Sequence, residues 1–200
     1  MHFLGQQVPD EGQTPGSIAI EDSQLAAAVR AKDRKATAEF VARYADSVYG
    51  YIHARLAPRH DQVEDLTQEV FLSAWEHLER YRGEGPLGAW VMGIARHKVE
   101  DYYREQLRAP ESIDDPDRIS VVPAATPEIH EFLELAELRK KTWQVLEHLS
   151  EQHRLALRWR YWDKASAREM AQKTGKTEKA IERLLARARE EFRGRWNHGR

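Results

Sequence analysis

The amino-acid sequence predicts an all-α protein in which a flexible linker joins two small helical domains. Apolar residues recur every three or four positions along most of the chain, as they do on one face of a helix. No strand-like alternation, internal repeat or low-complexity tract interrupts this pattern. With 200 residues and a hydrophobic content of 41%, the chain can fill one ordinary core or two small ones.

The first helical pattern follows an N-terminal stretch, residues 1–22, that we predict to be a flexible tail. This stretch contains glycines and prolines without apolar periodicity. Asp22 and Ser23 are candidate N-caps of the first helix, and Pro58 ends the pattern. The apolar stripe comprises Leu25, Ala26, Val29, Phe40, Val41, Tyr44, Val48, Tyr51 and Ile52. We expect these residues to pack in the core of a first domain.

Two more helices complete the first domain, which we place at residues 23–107. Asp61 and Glu64 have capping-box spacing, so we expect the second of the domain's helical stretches to begin there. A glycine-rich loop at residues 83–88 precedes the next helix. The two apolar stripes are Leu66, Val70, Ala74 and Leu78, and then Leu87, Trp90, Val91, Ile94, Ala95, Val99 and Tyr102.

Residues 108–126 contain three prolines and four acidic residues, a composition that predicts an interdomain linker. The second domain is predicted at residues 127–196. Thr126 is a candidate N-cap with Pro127 at the first helical position, and Ser150 caps the following helix. The apolar residues of these two helices are Ile129, Phe132, Leu133, Ala136, Val145, Leu146 and Leu149, and then Leu155, Leu157, Trp159 and Trp162.

The last part of the chain has the layout of a helix-turn-helix. Ser166 and Glu169 form a capping box, Gly175 suits the left-handed end of a short helix, and Thr177 caps the helix that follows. Met170 and Ala171 point inward, as do Ile181, Leu184, Leu185 and Ala188 of the second helix. The candidate DNA contacts of that helix are Lys179, Glu182, Arg183, Arg187 and Arg189. The alternative is an ordinary helical hairpin with a solvated basic face.

Charge is segregated along the chain. Residues 152–200 carry 14 Lys and Arg against 6 Asp and Glu, although the whole chain has a formal net charge of −2. A basic module of this kind is drawn to phosphate, and the acidic remainder suits a basic protein partner. The chain contains no cysteine, which excludes disulfides and thiolate chemistry. No apolar run approaches the roughly 18 residues that cross a bilayer, so we expect no membrane insertion.

Several motifs in order resemble the extracytoplasmic-function (ECF) sigma factors of the sigma-70 family. DLTQEVF at residues 65–71, followed by Trp75, resembles the region 2 helix, and YRGE at residues 81–84 begins a part that resembles its promoter-opening segment. That segment continues through Trp90, IAR at residues 94–96, Asp101 and Arg104. Residues 149–192 resemble region 4. The resemblance covers roughly residues 24–195.

The resemblance implies that residues 23–107 are sigma region 2 and residues 127–196 are sigma region 4. Asp65, Gln68 and Glu69 would then bind the clamp helices of the largest subunit of core RNA polymerase, and region 4 would meet the flap region and the minus-thirty-five element. The residues implied to bind the minus-ten element as it melts are Arg82, Trp90, Arg96, His97, Lys98 and Arg104. Because Trp90 falls in the apolar stripe, we favour a core position for it over a stacking platform.

Three positions depart from the family pattern. His97 stands where many relatives carry Asn, which changes the hydrogen-bonding pattern offered to a flipped base. Glu182 stands where relatives often have Lys or Arg, and Leu184 where they often have Arg. Glu182 either accepts a hydrogen bond from a cytosine amino group or repels phosphate, and the sequence leaves both open.

The predicted function is promoter recognition, DNA melting and transcription initiation with core polymerase in the cytoplasm, with no catalysis, cofactor or metal. The resemblance also implies an anti-sigma factor or another regulator as a partner. A stand-alone helix-turn-helix regulator is the main alternative. An enzyme would have to use His60, Asp61, Glu64, Asp65 and Glu69 as hard-metal ligands, and no matching second carboxylate helix occurs.

Overall fold

The computed structural model describes residues 15–109 and 131–198. Every regular element in these two ranges is helical, which confirms the all-α class. The elements are α1 Pro15–Arg30, α2 Arg34–Leu56, α3 His60–His77, a 3-10 turn Leu78–Arg80, α4 Leu87–Arg108, α5 Glu131–Glu147, α6 Glu151–Tyr161, α7 Ala167–Thr174 and α8 Glu178–His198. The predicted caps Thr126 and Pro127, together with Ile129 and residues 110–126 of the predicted linker, lie outside the described residues.

Helices α1 to α4 form the first unit, in which α2, α3 and α4 pack on one another and α1 packs on α2 and α4. Nearly all of the predicted stripe residues are buried or partly buried in its core. Val41 is an exception, since 39% of its surface is exposed on the outer side of α2. Its neighbour Phe40 points inward instead and is 2% exposed.

Two predicted helix starts are wrong. The first helix begins at Pro15, so residues 15–22 of the predicted flexible tail are helical and Asp22 lies inside α1 rather than at its cap. Arg59, not Asp61, is the N-cap of α3, and it makes no side-chain cap bond. The chain re-enters a helix directly after Pro58, and Asp61 instead forms an ion pair with Arg59 at 3.3 Å.

Helices α5 to α8 form the second unit, and the motifs predicted for α6, α7 and α8 are confirmed. Ser166 and Glu169 make both bonds of the capping box, and Gly175 has the left-handed φ of 73° that ends α7. The Ser150 side chain accepts from the N–H of His153, and that of Thr177 accepts from the N–H of Ala180 at 3.2 Å. The helix-turn-helix therefore consists of α7 and α8, as the sequence predicts.

The two units pack directly on each other, which the sequence did not predict. Helix α6 lies against α2 and α4, and α7 also contacts α4. The rings of Tyr103 and Trp159 meet across this boundary with 5.5 Å between their centroids. Both side chains are at most 2% exposed, and they belong to one hydrophobic core that continues through both units.

Polar contacts surround this apolar centre. Arg55 donates two hydrogen bonds to one carboxylate oxygen of Asp163, at 3.0 and 2.8 Å. Glu151 accepts from Tyr102 at 2.5 Å and from Arg59 at 2.7 Å. Further bonds between the units run from Gln152 to the carbonyls of residues 106 and 109, from Arg108 to the carbonyl of residue 174, and from Lys173 to the carboxylate of residue 100.

Candidate nucleic-acid interface

A cavity of about 430 Å³ opens where the 3-10 turn leads through a loop into α4. Its lining consists of Arg80, Tyr81, Arg82, Glu84, Gly85, Pro86, Ala89 and Trp90. Trp90 is half-buried: one side packs against the core and against Tyr81, with 5.9 Å between the ring centroids, and the other side lines the cavity. The predicted core position of Trp90 is therefore only partly correct, because the side chain contacts both the core and the cavity.

The loop around the cavity is held in place by a hydrogen bond within the loop and by a hydrogen bond to α1. The Tyr81 hydroxyl donates to the carbonyl of Gly85 at 2.7 Å, which closes the loop on itself. The Asp22 carboxylate accepts from the backbone N–H of Leu87 at 2.7 Å and from the Tyr44 hydroxyl at 3.2 Å. Burial, together with the charge of Asp22, raises the pKa of Tyr44 to about 12, so this hydroxyl remains a donor at neutral pH.

A polar face of α4 continues from the cavity. Trp90, His97 and Arg104 are spaced seven residues apart, so they lie nearly in line along the helix. Arg96 and His97 are exposed, and Arg104 is partly exposed and bonded to Asp101. Three of the predicted minus-ten residues of α4, namely Trp90, His97 and Arg104, thus lie along one side of the first unit.

Lys98 lies apart from this line and faces α3. Its ammonium group forms an ion pair with Glu69 at 2.9 Å. A residue predicted to bind DNA is therefore paired with a residue predicted to bind polymerase. This pair joins the two predicted surfaces and partly neutralises each of them.

The outer side of α3 carries the predicted polymerase contacts. Asp65, Gln68 and Glu69 are all exposed. Leu72 and Trp75 continue the same side at three- to four-residue spacing, and they are 56% and 50% exposed. Trp75 belongs to the motif that resembles region 2, whereas Leu72 was not predicted as a contact. Its position outside the core stripe of α3 is a sequence signal for an exposed apolar residue.

The recognition helix α8 exposes all five predicted DNA contacts, Lys179, Glu182, Arg183, Arg187 and Arg189. Leu184 is 6% exposed and packs in the core with Ile181 and Leu185, so its side chain is not presented on the surface of α8. Arg189 donates to the hydroxyl of Tyr161 on α6 at 3.4 Å.

The basic surplus of the second unit is not all available to DNA. Arg154 and Arg158 are 5% and 2% exposed because α6 lies between the two units. No local pattern predicts this burial, since charged residues on a helix are ordinarily solvated. The exposed basic residues that remain in the described part of the second unit lie partly on α8 and partly outside it, for example at Arg168 and Lys173.

The carboxylates considered as metal ligands are not assembled into a metal site. In residues 15–109 and 131–198, no group of three or more His, Asp or Glu side chains is arranged to hold an ion. Asp61 pairs with Arg59, and Glu69 pairs with Lys98. Among the described helices, none is long and apolar enough to cross a membrane.

Two family models match the chain. Sigma-70 region 2 matches residues 40–109, and Sigma-70 region 4 matches residues 139–192. The ECF RNA polymerase sigma-E factor of Escherichia coli K12 is 32% identical over 165 residues, which cover 78% of this chain and 83% of that protein. The sigma-E factor of Haemophilus influenzae is 33% identical over 95 residues, which cover 48% of this chain and 49% of that protein.

A solved structure with similarity to the chain is the co-crystal structure of the sigma factor RpoE with the anti-sigma factor NepR from Bartonella quintana. It has a TM-score of 0.42 and 19% identity, and the match covers 81% of this chain and 97% of that one. Because the TM-score is low, the family assignment rests on the sequence matches.

Proposed function

The chain belongs to the ECF sigma factors of the sigma-70 family, which direct RNA polymerase in transcription initiation, and from this premise we propose how its surfaces divide the task. Helix α3 binds core polymerase, the cavity and α4 bind the minus-ten element, and α8 binds the minus-thirty-five element. The domain limits that go with this division are residues 23–107 for region 2 and residues 127–196 for region 4. The cavity at residues 80–90 is the observation that carries the proposal.

The cavity suits a base that has left the stack. Melted DNA exposes bases that stack on aromatic rings, and Trp90 offers such a ring beside the exposed guanidinium of Arg82. Binding only the opened strand shifts the duplex towards the open state without hydrolysis. Arg96, His97 and Arg104 on α4 lie where the strand would leave the cavity, and we assign them to its backbone and neighbouring bases.

The exposed side of α3 suits a basic partner surface with apolar pockets. Asp65 and Gln68 supply polar contacts, while Leu72 and Trp75 offer about half of their surface for burial. An apolar centre with a charged rim is the usual anatomy of a protein interface. Glu69 would exchange its pairing with Lys98 for a polymerase contact, which would release Lys98 towards DNA.

On α8 we assign Lys179 and Arg183 to the major groove, because they lie in its N-terminal part on the side opposite the buried residues. Arg187 and Arg189 follow as phosphate contacts that fix the register. Glu182 sits beside them as the residue that discriminates between sequences.

We further propose that the protein acts in the cytoplasm, performs no catalysis and is controlled by a protein regulator. Family membership supports all three, since sigma factors act with RNA polymerase and members of this family are commonly held inactive by an anti-sigma factor. Recovery from native cells should yield a tight partner besides polymerase. Recovery of polymerase alone would count against a protein regulator.

The test is in vitro transcription with core polymerase and genomic promoter fragments. Addition of the protein should produce specific starts, and replacement of Asp65 together with Glu69 by alanine should abolish them by weakening association with core polymerase. Asp46→Ala, an exposed carboxylate change on α2, is the matched control and should leave the starts unchanged. Specific binding to duplex DNA without any association with core polymerase would instead establish a stand-alone regulator.

A further inference from the structure

We propose that Asp22 is a positioning residue for the cavity at residues 80–90, so that α1 takes part in promoter opening. Helix α1 ends at Arg30 and lies before the residues matched by the region 2 model, which begin at residue 40. The inference rests on the proposed function, because the exact shape of the cavity matters only if a base enters it.

Asp22 is a buried carboxylate, and carboxylates are rarely buried unless they have hydrogen-bond or ion-pair partners. It is 3% exposed, and its oxygens accept from the Leu87 N–H at 2.7 Å and the Tyr44 hydroxyl at 3.2 Å. Arg43 lies 3.7 Å from the same carboxylate. These three partners come from α4 and α2, so Asp22 joins three helices at one point.

The bond to Leu87 acts on the cavity because Leu87 is the first residue of α4. The N-cap of this helix is Pro86, which provides no side-chain cap bond. Asp22 therefore supplies from α1 an acceptor for a first-turn N–H that has no partner within the helix, and its negative charge lies at the positive end of the helix dipole. Pro86, Ala89 and Trp90, on either side of the anchored residue, line the cavity.

Residues of α1 and α2 approach the two ends of the loop closely enough to restrict its position. A Cβ on Gly88 would lie 2.9 Å from the ring of Tyr44, and a Cβ on Gly83 would lie 3.2 Å from the hydroxyl of Ser23. Gly83 also has a φ of 75°, a conformation that residues with side chains rarely adopt. Helices α1 and α2 thus fix the loop at both ends, and Asp22 makes the anchoring bond.

Two substitutions separate positioning from charge. In Asp22→Asn, the amide oxygen can still accept from Leu87, and the amide N–H can donate to Tyr44 once the hydroxyl proton rotates. In Asp22→Ala, the Leu87 N–H and the Tyr44 hydroxyl lose their acceptor. If Asp22 acted only as a negative charge near DNA, both variants would bind DNA more tightly and to the same extent.

The experiment measures binding of a single-stranded oligonucleotide by holoenzyme assembled from core polymerase and each variant. The probe carries the non-template strand of the minus-ten region from a promoter mapped by in vitro transcription, and fluorescence anisotropy reports its affinity. Asp22→Ala should weaken binding about tenfold, within the range that stacking of one base contributes. Asp22→Asn should stay close to wild type, and so should the control Asp46→Asn.

Arg82→Ala distinguishes failure of this inference from failure of the proposed function. If Arg82→Ala weakens binding and Asp22→Ala does not, the positioning role of Asp22 is wrong and the cavity stands. If neither variant weakens binding, the cavity is not the base site and both proposals fail. If Asp22→Ala also fails to associate with core polymerase, Gly83→Ala provides the second test. Its Cβ would displace the loop by contact with Ser23 while Asp22 stays in place. Retained strand affinity in that variant would overturn the inference.

Discussion

Replacement of Arg55 by alanine should separate the two units of the protein. Arg55 on α2 donates hydrogen bonds of 3.0 and 2.8 Å to Asp163, which follows α6. The side chains of the two residues are only 13% and 21% exposed, so water competes weakly for this pair. Arg55 also stacks on the ring of Tyr51 at 3.6 Å, a contact within α2 that does not depend on the second unit.

The Arg55–Asp163 pair should stabilise the packed arrangement enough that its loss changes the ratio of packed to separated protein about tenfold. Hydrogen bonds to charged groups contribute about 1.5–3 kcal/mol when their partners are buried. We take the lower end, about 1.5 kcal/mol, because both side chains keep some contact with water. Since 1.4 kcal/mol corresponds to a factor of ten, the ratio of packed to separated protein should fall by about that factor.

Under the proposed function separation matters, because the packed units would be too short to reach both promoter elements. Elements centred about 25 base pairs apart lie roughly 85 Å apart on a straight duplex, at about 3.4 Å per base pair. A compact chain of 200 residues has a radius of gyration of only about 16 Å. Residues 110–130 can bridge up to about 70 Å when fully extended, so the chain can span the elements once its units separate.

The assay is energy transfer between two dyes, one on each unit. The chain has no cysteine, so cysteines introduced at Ala42 and Gln172, both exposed, become the only labelling sites. Arg55→Ala should lower the population with high transfer, whereas Arg34→Ala, an exposed arginine at the start of the same helix, should not. A double-mutant cycle with Asp163→Ala removes the Tyr51 contribution from the result.

An unchanged transfer distribution in the Arg55 variant, together with a coupling free energy below about 0.5 kcal/mol, would contradict this prediction. Such a result would show that the ion pair does not hold the units together. Faster formation of open promoter complexes by the Arg55 variant would add functional support, since packed protein must separate before it engages both elements.

Three further predictions concern a cap, a buried tyrosine and the recognition helix. Ser166→Ala removes the capping box of α7 and should lower the free energy of unfolding by about 1 kcal/mol in a denaturant titration. Burial raises the pKa of Tyr44 from 10.0 to about 12, so its contribution to stability is complete below pH 10 and is lost as the pH rises through 12. Tyr44→Phe should therefore flatten the alkaline end of the pH–stability curve. Arg187→Ala should weaken binding to promoter duplex and reduce the salt slope by about one; an unchanged slope would remove Arg187 from the phosphate contacts.

Features that depend on neighbouring residues could be predicted from the sequence. The capping box at Ser166, the left-handed turn at Gly175 and the inward face of α8 depend on spacings of three and four residues. The helices follow for the same reason. The exposed positions of Asp65 and Arg183 also follow, since they lie opposite the apolar stripes of their helices.

Features that depend on contacts between distant residues could not be predicted. Asp22 has the sequence context of an N-cap, and it does accept a hydrogen bond from a helix N-terminus, but from that of α4 instead of α1. Arg158 has the sequence context of a solvated arginine on a basic helix, yet it is buried between the units. In both cases the deciding partner is more than 60 residues away, at Leu87 or at the carbonyl of Arg55. The residues near Asp22 and Arg158 in the sequence do not indicate which distant residues these side chains contact.

The interface between the units buries charge that it satisfies only in part. Arg158 donates to the Arg55 carbonyl at 2.5 Å and lies 4.7 Å from the ring centroid of Trp143. Within the described part of the chain, its Nε and Nη2 atoms, the Nε of Arg154 and the hydroxyl of Tyr103 have no hydrogen-bond partner. Burial lowers the pKa of Arg158 to about 10, which reflects the cost of keeping this guanidinium away from water. Separation of the units would hydrate these groups and so recover part of that cost.

Arg158→Met should therefore act opposite to Arg55→Ala and favour the packed units. Replacement of a buried ion pair by apolar side chains of similar volume is often neutral or stabilising, because the desolvation penalty disappears. The same penalty disappears when a buried arginine bonded to a backbone carbonyl is replaced. Methionine would keep the contact with Trp143 and lose one hydrogen bond to the Arg55 carbonyl. With the same two dyes, the high-transfer population should rise, and promoter opening with core polymerase should slow. A fall in that population would mean that the bond from Arg158 to the carbonyl outweighs the buried charge, and that the interface is held by its arginines rather than weakened by one of them.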